Sequence, residues 1–337
     1  MSKILNWGII STAKIGRVQV IPALQQSKLL KVTAIASRSQ ESAQAVADEL
    51  KIPNAYASYE QLLADPDIDV IYNPLPNHLH VPLTIAALQA GKHVLCEKPL
   101  ALTADEAQQL VEVSKQTGKL VEEAFMVRSN PQWQWVREQI KNQSIGKLCA
   151  IQGAFSYFNN DVNNIRNQAD IGGGGIYDIG CYLINTSRFV TGEEPCKVSA
   201  IIERDPDMFT DRLASAIMLF PSGVQMTWVC STQLTPYQRV NFLGTTGRIE
   251  VKIPFNAPND SENMVFIDDG SDLTGANIKR QAFPVIDQYQ LQGDNFCAAI
   301  NTRQAQKNPL ADSIANMRVI DAIFSAAKTG QWVDVAR

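Results

Sequence analysis

The sequence predicts an α/β protein that joins a doubly wound parallel sheet to an α+β domain with a large, mainly antiparallel open sheet. Short apolar strands alternate with amphipathic helices over residues 1–124, a pattern typical of parallel strands connected by crossover helices. From about residue 147, strand patterns of period two follow one another without intervening helices, which favours antiparallel pairing with one exposed face. We therefore predict two domains, one over 1–124 and one over 125–337.

The composition narrows the classes of function. An apolar fraction of 45% and a charged fraction of 19% fit an ordinary globular protein, and the net charge of −4 argues against a general nucleic-acid binder. We see no apolar run of membrane-spanning length and no signal-peptide pattern. The six cysteines form no CxxC pair, so we expect reduced thiols rather than a zinc or redox motif. These features predict a cytoplasmic protein whose partners include neither nucleic acid nor a membrane.

The first domain is predicted to contain short strands rich in Val, Ile, Leu and Ala. Ser39 and Thr103 have the features of helix N-caps, and Glu106 fits a capping box with Thr103. The predicted strands are 4–10, 30–37, 69–72, 93–96 and 120–121. The first predicted helix follows the turn at 11–16 and has about three turns, and the other predicted helices cover 40–46, 79–90 and 103–116.

The second domain is predicted to be richer in strands. Pro221-Ser222-Gly223 and Gly244-Thr245-Thr246-Gly247 are typical hairpin turns. The predicted strands are 148–158, 196–204, 213–220, 223–232, 237–243 and 248–253. The predicted helices are 131–142, 175–191, 287–302 and 310–329, and residues 255–285 are expected to form irregular loops.

The turn after the first strand is a candidate phosphate-binding turn. Aligned to G-x-G-x-x-G, the segment reads Ser11-Thr12-Ala13-Lys14-Ile15-Gly16, so only Gly16 matches. Its place between the first strand and the first helix is the context that a Rossmann dinucleotide site requires, since phosphate binds at the helix N-terminus. The alternative is an ordinary strand-turn-helix connection.

The end of the second strand favours NADP over NAD. An NAD site usually carries Asp or Glu about 20 residues after the first turn, whereas this chain has Ser37-Arg38. A hydroxyl and a guanidinium suit a 2′-phosphate, which a carboxylate would repel. The alternative is an exposed Arg at the start of a loop.

Two further segments follow strands at the same predicted sheet edge. The loop Asn73-Pro74-Leu75-Pro76-Asn77-His78-Leu79-His80 is expected to line the cleft near the nicotinamide, because two prolines make it rigid. We expect one histidine to pack at a helix N-terminus and the other to contact cofactor or substrate. No third ligand lies at metal spacing, so no metal site is predicted. After the next strand, Cys96-Glu97-Lys98-Pro99 places a lysine before a proline, and Lys98 is our candidate for the reaction centre.

The segment from Gly172 to Tyr182 is the last candidate. In a helix over 175–191, Asp178 and Tyr182 are four residues apart and share one face, which suits proton transfer and a hydroxyl-bearing substrate. The alternative is an Asp bonded to loop amides and a Tyr that packs within the fold.

Together these residues resemble the glucose-fructose oxidoreductase / inositol dehydrogenase / rhizopine-catabolism (Gfo/Idh/MocA) family. Glu97-Lys98-Pro99 matches the family signature, and Tyr182 stands where many members carry His. This tyrosine and the segment Asn164-Ile165-Arg166 make the chain similar to one branch of the family. That branch contains glucose-fructose oxidoreductase, dimeric dihydrodiol dehydrogenase and NADP-dependent D-xylose dehydrogenase. Further matches are Asn77-His78-Leu79-His80, Gly91-Lys92-His93-Val94 and Gly173-Gly174-Gly175.

The resemblance implies roles for individual residues. Tyr182 would be the general acid/base, Lys98 would hydrogen-bond the reacting hydroxyl, and Asp178 would hold the substrate. Ser11 and Ala13 stand where the family has glycines. The predicted cofactor-binding residues are Ser11, Thr12, Ala13, Lys14, Ile15, Ser37, Arg38, Pro74, Leu75, Asn77, His80, Glu97, Lys98, Arg128 and Arg166.

The function expected from these observations is hydride transfer between NADP(H) and a carbinol or carbonyl carbon of a sugar, polyol or trans-diol. One alternative is an enzyme with tightly bound, cycling NADP(H) that performs sugar–sugar oxidoreduction, epimerisation or redox-assisted glycoside cleavage. Another is a non-catalytic, NADP-responsive regulatory subunit. Because an open sheet with one uncovered face usually needs a partner, we expect a homodimer formed through the C-terminal sheet.

Overall fold

The computed structural model describes residues 3–302 and 304–336, which divide into two compact units. The first unit comprises Met1–Ser129 and Asp287–Ile314, and the second comprises Asn130–Ile286 and Ala315–Arg337. By order along the chain, residues 287–314 are expected to belong to the second domain. In the structure this segment belongs to the first unit.

The first unit is built on a parallel sheet, as predicted. Each neighbouring pair of its strands is parallel. Up to Ser129 the elements are β1 (Leu5–Ile10), α1 (Ile21–Leu24), β2 (Leu30–Ala36), α2 (Gln40–Leu50), β3 (Asn54–Tyr56), α3 (Tyr59–Ala64), β4 (Val70–Asn73), α4 (His80–Gln89), β5 (His93–Cys96), α5 (Ala104–Thr117) and β6 (Val121–Glu123). Over the described residues the strand order is β3-β2-β1-β4-β5-β6, which confirms the doubly wound topology.

Local signals in the sequence account for several helix boundaries. Ser39 accepts a hydrogen bond from the Ser42 amide, and Thr103 accepts one from the Glu106 amide, so both N-caps are confirmed. The helical segment after the first strand contains a π turn, Gly16–Val20, which the sequence did not indicate. Strand β3 and helix α3 were also missed, since segments of three and six residues are too short to show a clear period.

From Asn130 onward the chain forms the large second sheet and the last helices. The sheet is mainly antiparallel, with a parallel pair between the seventh and tenth strands. The elements are α6 (Pro131–Lys141), β7 (Leu148–Phe158), α7 (Cys181–Thr191), β8 (Lys197–Arg204), β9 (Asp211–Leu219), β10 (Gln225–Ser231), β11 (Gln233–Gly244), β12 (Arg248–Val251), β13 (Asn263–Asp268), β14 (Lys279–Phe283), α8 (Gln288–Thr302), α9 (Leu310–Thr329) and β15 (Val333–Asp334). Within the described ranges the order is β14-β13-β12-β11-β7-β10-β9-β8-β15.

The hairpin of β13 and β14 corrects the prediction of irregular loops over 255–285. The two strands pair antiparallel from Asn263 with Phe283 to Ile267 with Lys279. The sequence Lys279–Phe283 is mostly polar, and its strand conformation depends on pairing with a neighbour rather than on its own pattern.

Helix α8 belongs to the first unit because its apolar face completes the core around β1. Phe296 and Trp7 are fully buried, and their rings meet edge to face at 6.1 Å. Cys297 lies in the same buried cluster. Such a contact joins residues almost 290 positions apart in the sequence, which explains why sequence order misplaced the helix.

Two further observations concern membrane-spanning helices and the state of the cysteines. In residues 3–302 and 304–336, we find no helix that is both long and apolar enough to cross a membrane. The six cysteines, which all fall in the described ranges, are free thiols.

Two adjacent carboxyl groups in β6 are buried at the edge of the parallel sheet. Glu122 and Glu123 are each 1% exposed, and burial raises the pKa of Glu122 to about 8 and that of Glu123 to about 7. Glu123 Oε1 accepts the Leu100 amide at 2.8 Å. Among the described residues Glu122 Oε2 has no hydrogen-bond partner. The folded protein therefore favours the protonated form of Glu122.

Replacing Glu122 with Gln should reduce the pH dependence of stability. The pKa of Glu122 is about 8 when folded, against an ordinary value of 4.5, so its contribution to the free energy of unfolding falls as pH rises through this interval. His80 and His93, whose pKa values burial lowers to about 4, give the opposite slope only below their ordinary value of 6.5. Thermal unfolding from about pH 6.5 to about pH 8.5 should therefore show a smaller loss of Tm in Glu122→Gln than in the wild type.

The exposed Glu112→Gln variant in α5 is the matched control for this experiment and should follow the wild-type profile. Parallel Tm profiles for Glu122→Gln and the wild type would contradict the proposed ionisation of Glu122.

Candidate active site

The turn after β1 has the backbone that a phosphate-binding turn needs, although a serine replaces glycine. Ser11 has φ of 75°, in the left-handed region that glycine usually occupies, and its amide donates to Ala36 O at the end of β2. Its hydroxyl accepts the Ala13 amide at 3.3 Å. Residues 11–13 are partly exposed before the helical segment begins at Lys14. These residues fit a dinucleotide phosphate at a helix N-terminus.

In this region, an added side chain would be crowded at Gly8 rather than at Gly16. A Cβ at Gly16 would make ordinary contacts of 3.8–3.9 Å, whereas one at Gly8 would lie 2.9 Å from Leu62 Cδ1. Close packing between β1 and α3 therefore requires glycine inside the strand.

The end of β2 presents the residues predicted to select NADP. The Ser37 amide donates to Tyr56 O, and the Arg38 side chain is exposed. Burial raises the pKa of the Tyr59 phenol, and the nearby positive charge of Arg38 partly opposes that rise. The sequence between β2 and α2 is Ser37-Arg38-Ser39, without a carboxylate to repel a 2′-phosphate.

The loop after β4 is fixed by buried polar groups. Leu75 N donates to Asn73 Oδ1, and the amide of the fully buried Asn73 side chain donates to His80 O. His80 is 1% exposed and its ring lies 2.7 Å from both Leu75 O and Pro99 O. Burial lowers its pKa to about 4, so the ring is neutral near pH 7. This environment gives His80 a positioning role between two predicted cofactor-binding loops.

Pro74 is buried in the same loop, and Asn77 is half-buried at the start of the short 3₁₀ turn Asn77–Leu79. His78, the other histidine of the segment, is also half-buried. Over the part of the chain that the structure describes, no cluster of three or more His, Cys, Asp or Glu side chains could hold a metal ion.

The segment after β5 holds Lys98 from both sides. Glu97 Oε1 accepts the Tyr72 hydroxyl at 2.7 Å, and the Glu97 amide donates to Asn73 O. The Lys98–Pro99 peptide bond is cis, and the next amide, Leu100 N, donates to Glu123. Lys98 itself is half-buried. The bond from the Glu97 amide to Asn73 O and the bond from the Leu100 amide to Glu123 therefore fix the backbone on either side of the lysine.

Arg128 lies in the first unit and is paired there. Its guanidinium donates to Asp312 Oδ2 at 2.7 Å, and its side chain is 6% exposed. The pairing joins the 3₁₀ turn Met126–Ser129 to the first turn of α9. A buried Arg with a carboxylate partner has a structural role in addition to any contact with a cofactor.

In the second unit, the side chains of Tyr157 and Arg166 both donate hydrogen bonds to one carboxylate oxygen of Asp178. Asp178 Oδ2 accepts the Tyr157 hydroxyl at 2.5 Å and Arg166 Nε at 3.0 Å. Arg166 and Asp178 are among the site residues predicted from the sequence, whereas Tyr157 is not. The available signal was that Tyr157 shares a face of β7 with the buried Phe155, two residues earlier.

Tyr182 lies in α7 against an aromatic wall. Its ring centroid is 5.4 Å from that of Phe255 and 6.1 Å from that of Phe155, and Tyr182 is 6% exposed. The Phe255 amide donates to Gln238 Oε1 at 2.9 Å, and Trp133 Nε1 donates to the neighbouring Pro254 O at 2.7 Å. These bonds fix the wall against which the phenol is oriented.

The helix that carries Asp178 and Tyr182 is not α-helical throughout. Ile176–Gly180 is a π turn and the α-helix begins at Cys181, so the predicted helix over 175–191 has a wider first turn. The buried Asp211, which the sequence analysis missed, accepts the Ile176 amide at 2.6 Å, and burial raises its pKa to about 7.

The glycine loop before this helix is shaped by close neighbours. A Cβ at Gly173 would lie 2.6 Å from Gln168 O, and a Cβ at Gly174 would overlap Asp211 Oδ1. Gly174 also has φ of 125°, which side chains rarely tolerate. These two positions require glycine for steric reasons.

Two family models match most of the chain. The model described as "Oxidoreductase family, NAD-binding Rossmann fold" matches residues 5–125, and the model for the GFO/IDH/MocA C-terminal domain matches residues 133–250. Both predicted halves therefore have counterparts in known families.

Several oxidoreductases are similar to this chain over nearly its full length. An uncharacterized oxidoreductase of Rhizobium meliloti is 42% identical, covering 98% of this chain and 99% of that protein. The D-xylose 1-dehydrogenase (NADP(+)) 2 of Haloferax volcanii is 36% identical, covering 98% and 100%. A solved 3-ketoreductase from Actinomadura kijaniata, in complex with NADP and TDP-benzene, has a TM-score of 0.90 at 28% identity, covering 96% and 98%.

Replacing Gly174 with Ala should destabilise the protein by at least about 2 kcal/mol, because the new Cβ combines an unfavourable φ with a collision against a buried carboxylate. Gly223→Ala is the matched control, since Gly223 has φ of 88° but open space around it. The control should lose only about 1 kcal/mol. Urea unfolding measures both, and equal losses would contradict the proposed collision with Asp211.

Proposed function

The chain belongs to the Gfo/Idh/MocA family of oxidoreductases, and we propose that it interconverts a carbinol and a carbonyl group on a sugar, polyol or trans-diol, using NADP(H). The observation that carries this proposal is the placement of Asp178 and Tyr182 in one helical segment, with Asp178 held by two donors. The similar D-xylose dehydrogenase and 3-ketoreductase support a carbohydrate-like substrate. The six free thiols support our proposal of a cytoplasmic location.

The first unit contains the residues that fit the nicotinamide dinucleotide. The turn of residues 11–15 would hold the pyrophosphate, and Ser37 with the exposed Arg38 would hold the 2′-phosphate. When bound, the nucleotide supplies or accepts a hydride.

Lys98 is proposed to donate a hydrogen bond to the reacting oxygen of the substrate. A protonated ammonium stabilises negative charge on that oxygen, and the amide bonds of Glu97 to Asn73 O and of Leu100 to Glu123 hold the adjoining backbone in place. A lysine has no acceptor when protonated, so Lys98 polarises the oxygen rather than removing its proton.

Tyr182 is proposed to be the general acid/base of the reaction. A tyrosine can act in both directions: its phenol protonates the developing alkoxide in reduction, and its phenolate receives the proton of the hydroxyl in oxidation. Asp178 is proposed to accept a hydrogen bond from a substrate hydroxyl. Such an acceptor suits a sugar or diol, which has a second hydroxyl beside the reacting carbon.

Tyr182→Phe should lower kcat by about 10²- to 10⁴-fold, the range of a lost general acid/base, and Lys98→Met should also lower it strongly. The substrate is first found with an NADP(H)-coupled screen of aldoses, ketoses, inositols and trans-dihydrodiols in both directions. Initial rates are then measured for the variants on that substrate.

Tyr56→Phe and Lys31→Met are matched controls in the first unit and should keep the wild-type kcat. Near-normal turnover by Tyr182→Phe and Lys98→Met would contradict the assigned roles. Binding of NADPH without turnover on any substrate of the screen would favour a regulatory subunit instead.

We also propose that the chain forms a homodimer through the outer face of the large sheet. Ile201 is 78% exposed and Ile217 is 41% exposed on adjacent strands. Beside them is a shallow depression of about 410 Å³ lined by β7, β8, β9 and β10. Its lining on this face includes small polar residues such as Ser199, Ser215 and Thr227, which permit close approach by a second flat sheet. A second copy presents the same face, as a twofold interface requires.

Sedimentation equilibrium at micromolar concentration should give a dimer mass for the wild type, and Ile201→Asp should shift the mass toward the monomer, since it introduces a charge into the apolar contact. Leu273→Asp is the matched control, because Leu273 is fully exposed in the loop that connects β13 and β14, at the other end of the strand order from β8 and β9. A monomer mass for the wild type would overturn the proposed dimer.

A further inference from the structure

Tyr157 is a second tyrosine in direct contact with the predicted site. It projects from β7, and its hydroxyl donates to Asp178 Oδ2 at 2.5 Å, a short hydrogen bond to a carboxylate. Arg166 Nε donates to the same oxygen at 3.0 Å. Three separate segments therefore meet at one atom of Asp178.

The chemistry of the contact distinguishes Tyr157 from Tyr182. Burial raises the pKa of Tyr157, and the negative charge and hydrogen bond of Asp178 raise it further. Its phenol therefore keeps its proton at the pH of an ordinary assay and acts as a hydrogen-bond donor. A group with so strong a preference for the protonated form is a poor general base.

The two donors to Asp178 differ in their surroundings. The Arg166 side chain is 40% exposed, so water and salt weaken its pairing, whereas the Asp178 side chain is 15% exposed and Tyr157 is half-buried. A charge-assisted hydrogen bond that is shielded from water contributes more than an exposed ion pair. The Tyr157 bond should therefore be the stronger of the two.

We propose that Tyr157 is a positioning residue that, together with Arg166, holds Asp178 as an ionised acceptor for a substrate hydroxyl. The proposal rests on the function proposed above for Asp178. Asp178 lies in a π turn, where the side-chain directions depart from those of a regular helix, so its orientation depends on such lateral bonds. Both donors bind Oδ2, which sets the orientation of the whole carboxylate group.

The charged and titratable groups around Asp178 permit a pH-based test. They include Tyr157, Arg166 and the buried Cys230 of β10, whose pKa burial raises so that its thiol is neutral. Loss of the Tyr157 donor removes a group that stabilises the ionised carboxylate. The pKa of Asp178 should then rise, and the acid limb of the kcat/KM profile should move to higher pH.

The test is the kcat/KM of Tyr157→Phe as a function of pH, with the substrate found by the NADP(H)-coupled screen. We expect kcat/KM to fall about 10-fold and the acid limb to move upward by about one pH unit. The two values match because a ten-fold change in kcat/KM and a shift of one pKa unit correspond to the same change in free energy. Tyr56→Phe is the matched control: the Tyr56 hydroxyl also donates to a carboxylate, Asp65 Oδ2 at 2.8 Å, in the first unit. This control should leave the acid limb unchanged.

Tyr182→Phe, measured in parallel, separates the two proposals. If Tyr182→Phe retains activity, the proposed function fails whatever Tyr157→Phe does. If Tyr182→Phe is inactive while Tyr157→Phe keeps the wild-type rate and acid limb, the positioning role alone is overturned. A fall in kcat/KM with an unmoved acid limb also overturns it, because a merely structural role would give that result.

Arg166→Gln provides a second route if Tyr157→Phe does not fold. The weaker donor should produce a smaller shift of the acid limb in the same direction. An unchanged limb in this variant would overturn the proposal.

Discussion

The buried carboxylate of Asp211 holds the start of the helical segment on which the proposed chemistry of the second unit depends. It accepts the Ile176 amide at 2.6 Å, and the pKa of about 7 reflects the free-energy cost of its burial. The carboxylate also excludes any side chain at Gly174, so the glycine loop and the acid fit each other. From this fixed start the π turn places Asp178, and the following α-helix places Tyr182. Displacement of Asp211 would therefore move both residues.

In the first unit, hydrogen-bonded carboxylates likewise hold the segment around Lys98. Glu97 accepts the Tyr72 hydroxyl and Glu123 accepts the Leu100 amide, so two carboxylates hold the chain before and after the lysine. His80 makes a third polar contact to this segment, since its ring nitrogen lies within hydrogen-bond distance of Pro99 O. Buried polar groups are unfavourable unless they are bonded, and each bonded pair therefore favours one backbone conformation. In both units, side chains outside the reaction hold those proposed to perform it.

The sequence predicted those features whose information is local. The period of the strands, the caps at Ser39 and Thr103, and the two halves of the fold all come from residues close together in the chain. Features that depend on distant partners could not be predicted in this way. Helix α8 packs on β1 from almost 290 residues away, and Asp211, at the start of β9, accepts the Ile176 amide from 35 residues further along the chain. The strand β14 has no apolar pattern of its own and forms only because β13 is beside it.

The two tyrosines show why residue type and spacing cannot by themselves assign a chemical role. Tyr182 was found by its spacing from Asp178, whereas Tyr157 is the residue whose hydroxyl bonds that Asp. Burial and the negative charge of the carboxylate together raise the pKa of Tyr157 and make ionisation of its phenol unfavourable, so Tyr157 is suited to donate a hydrogen bond rather than to transfer a proton. Tyr182 packs against the rings of Phe155 and Phe255, which fix its orientation. We therefore propose that Tyr157 holds Asp178 by donating a hydrogen bond, and that proton transfer is the role of Tyr182.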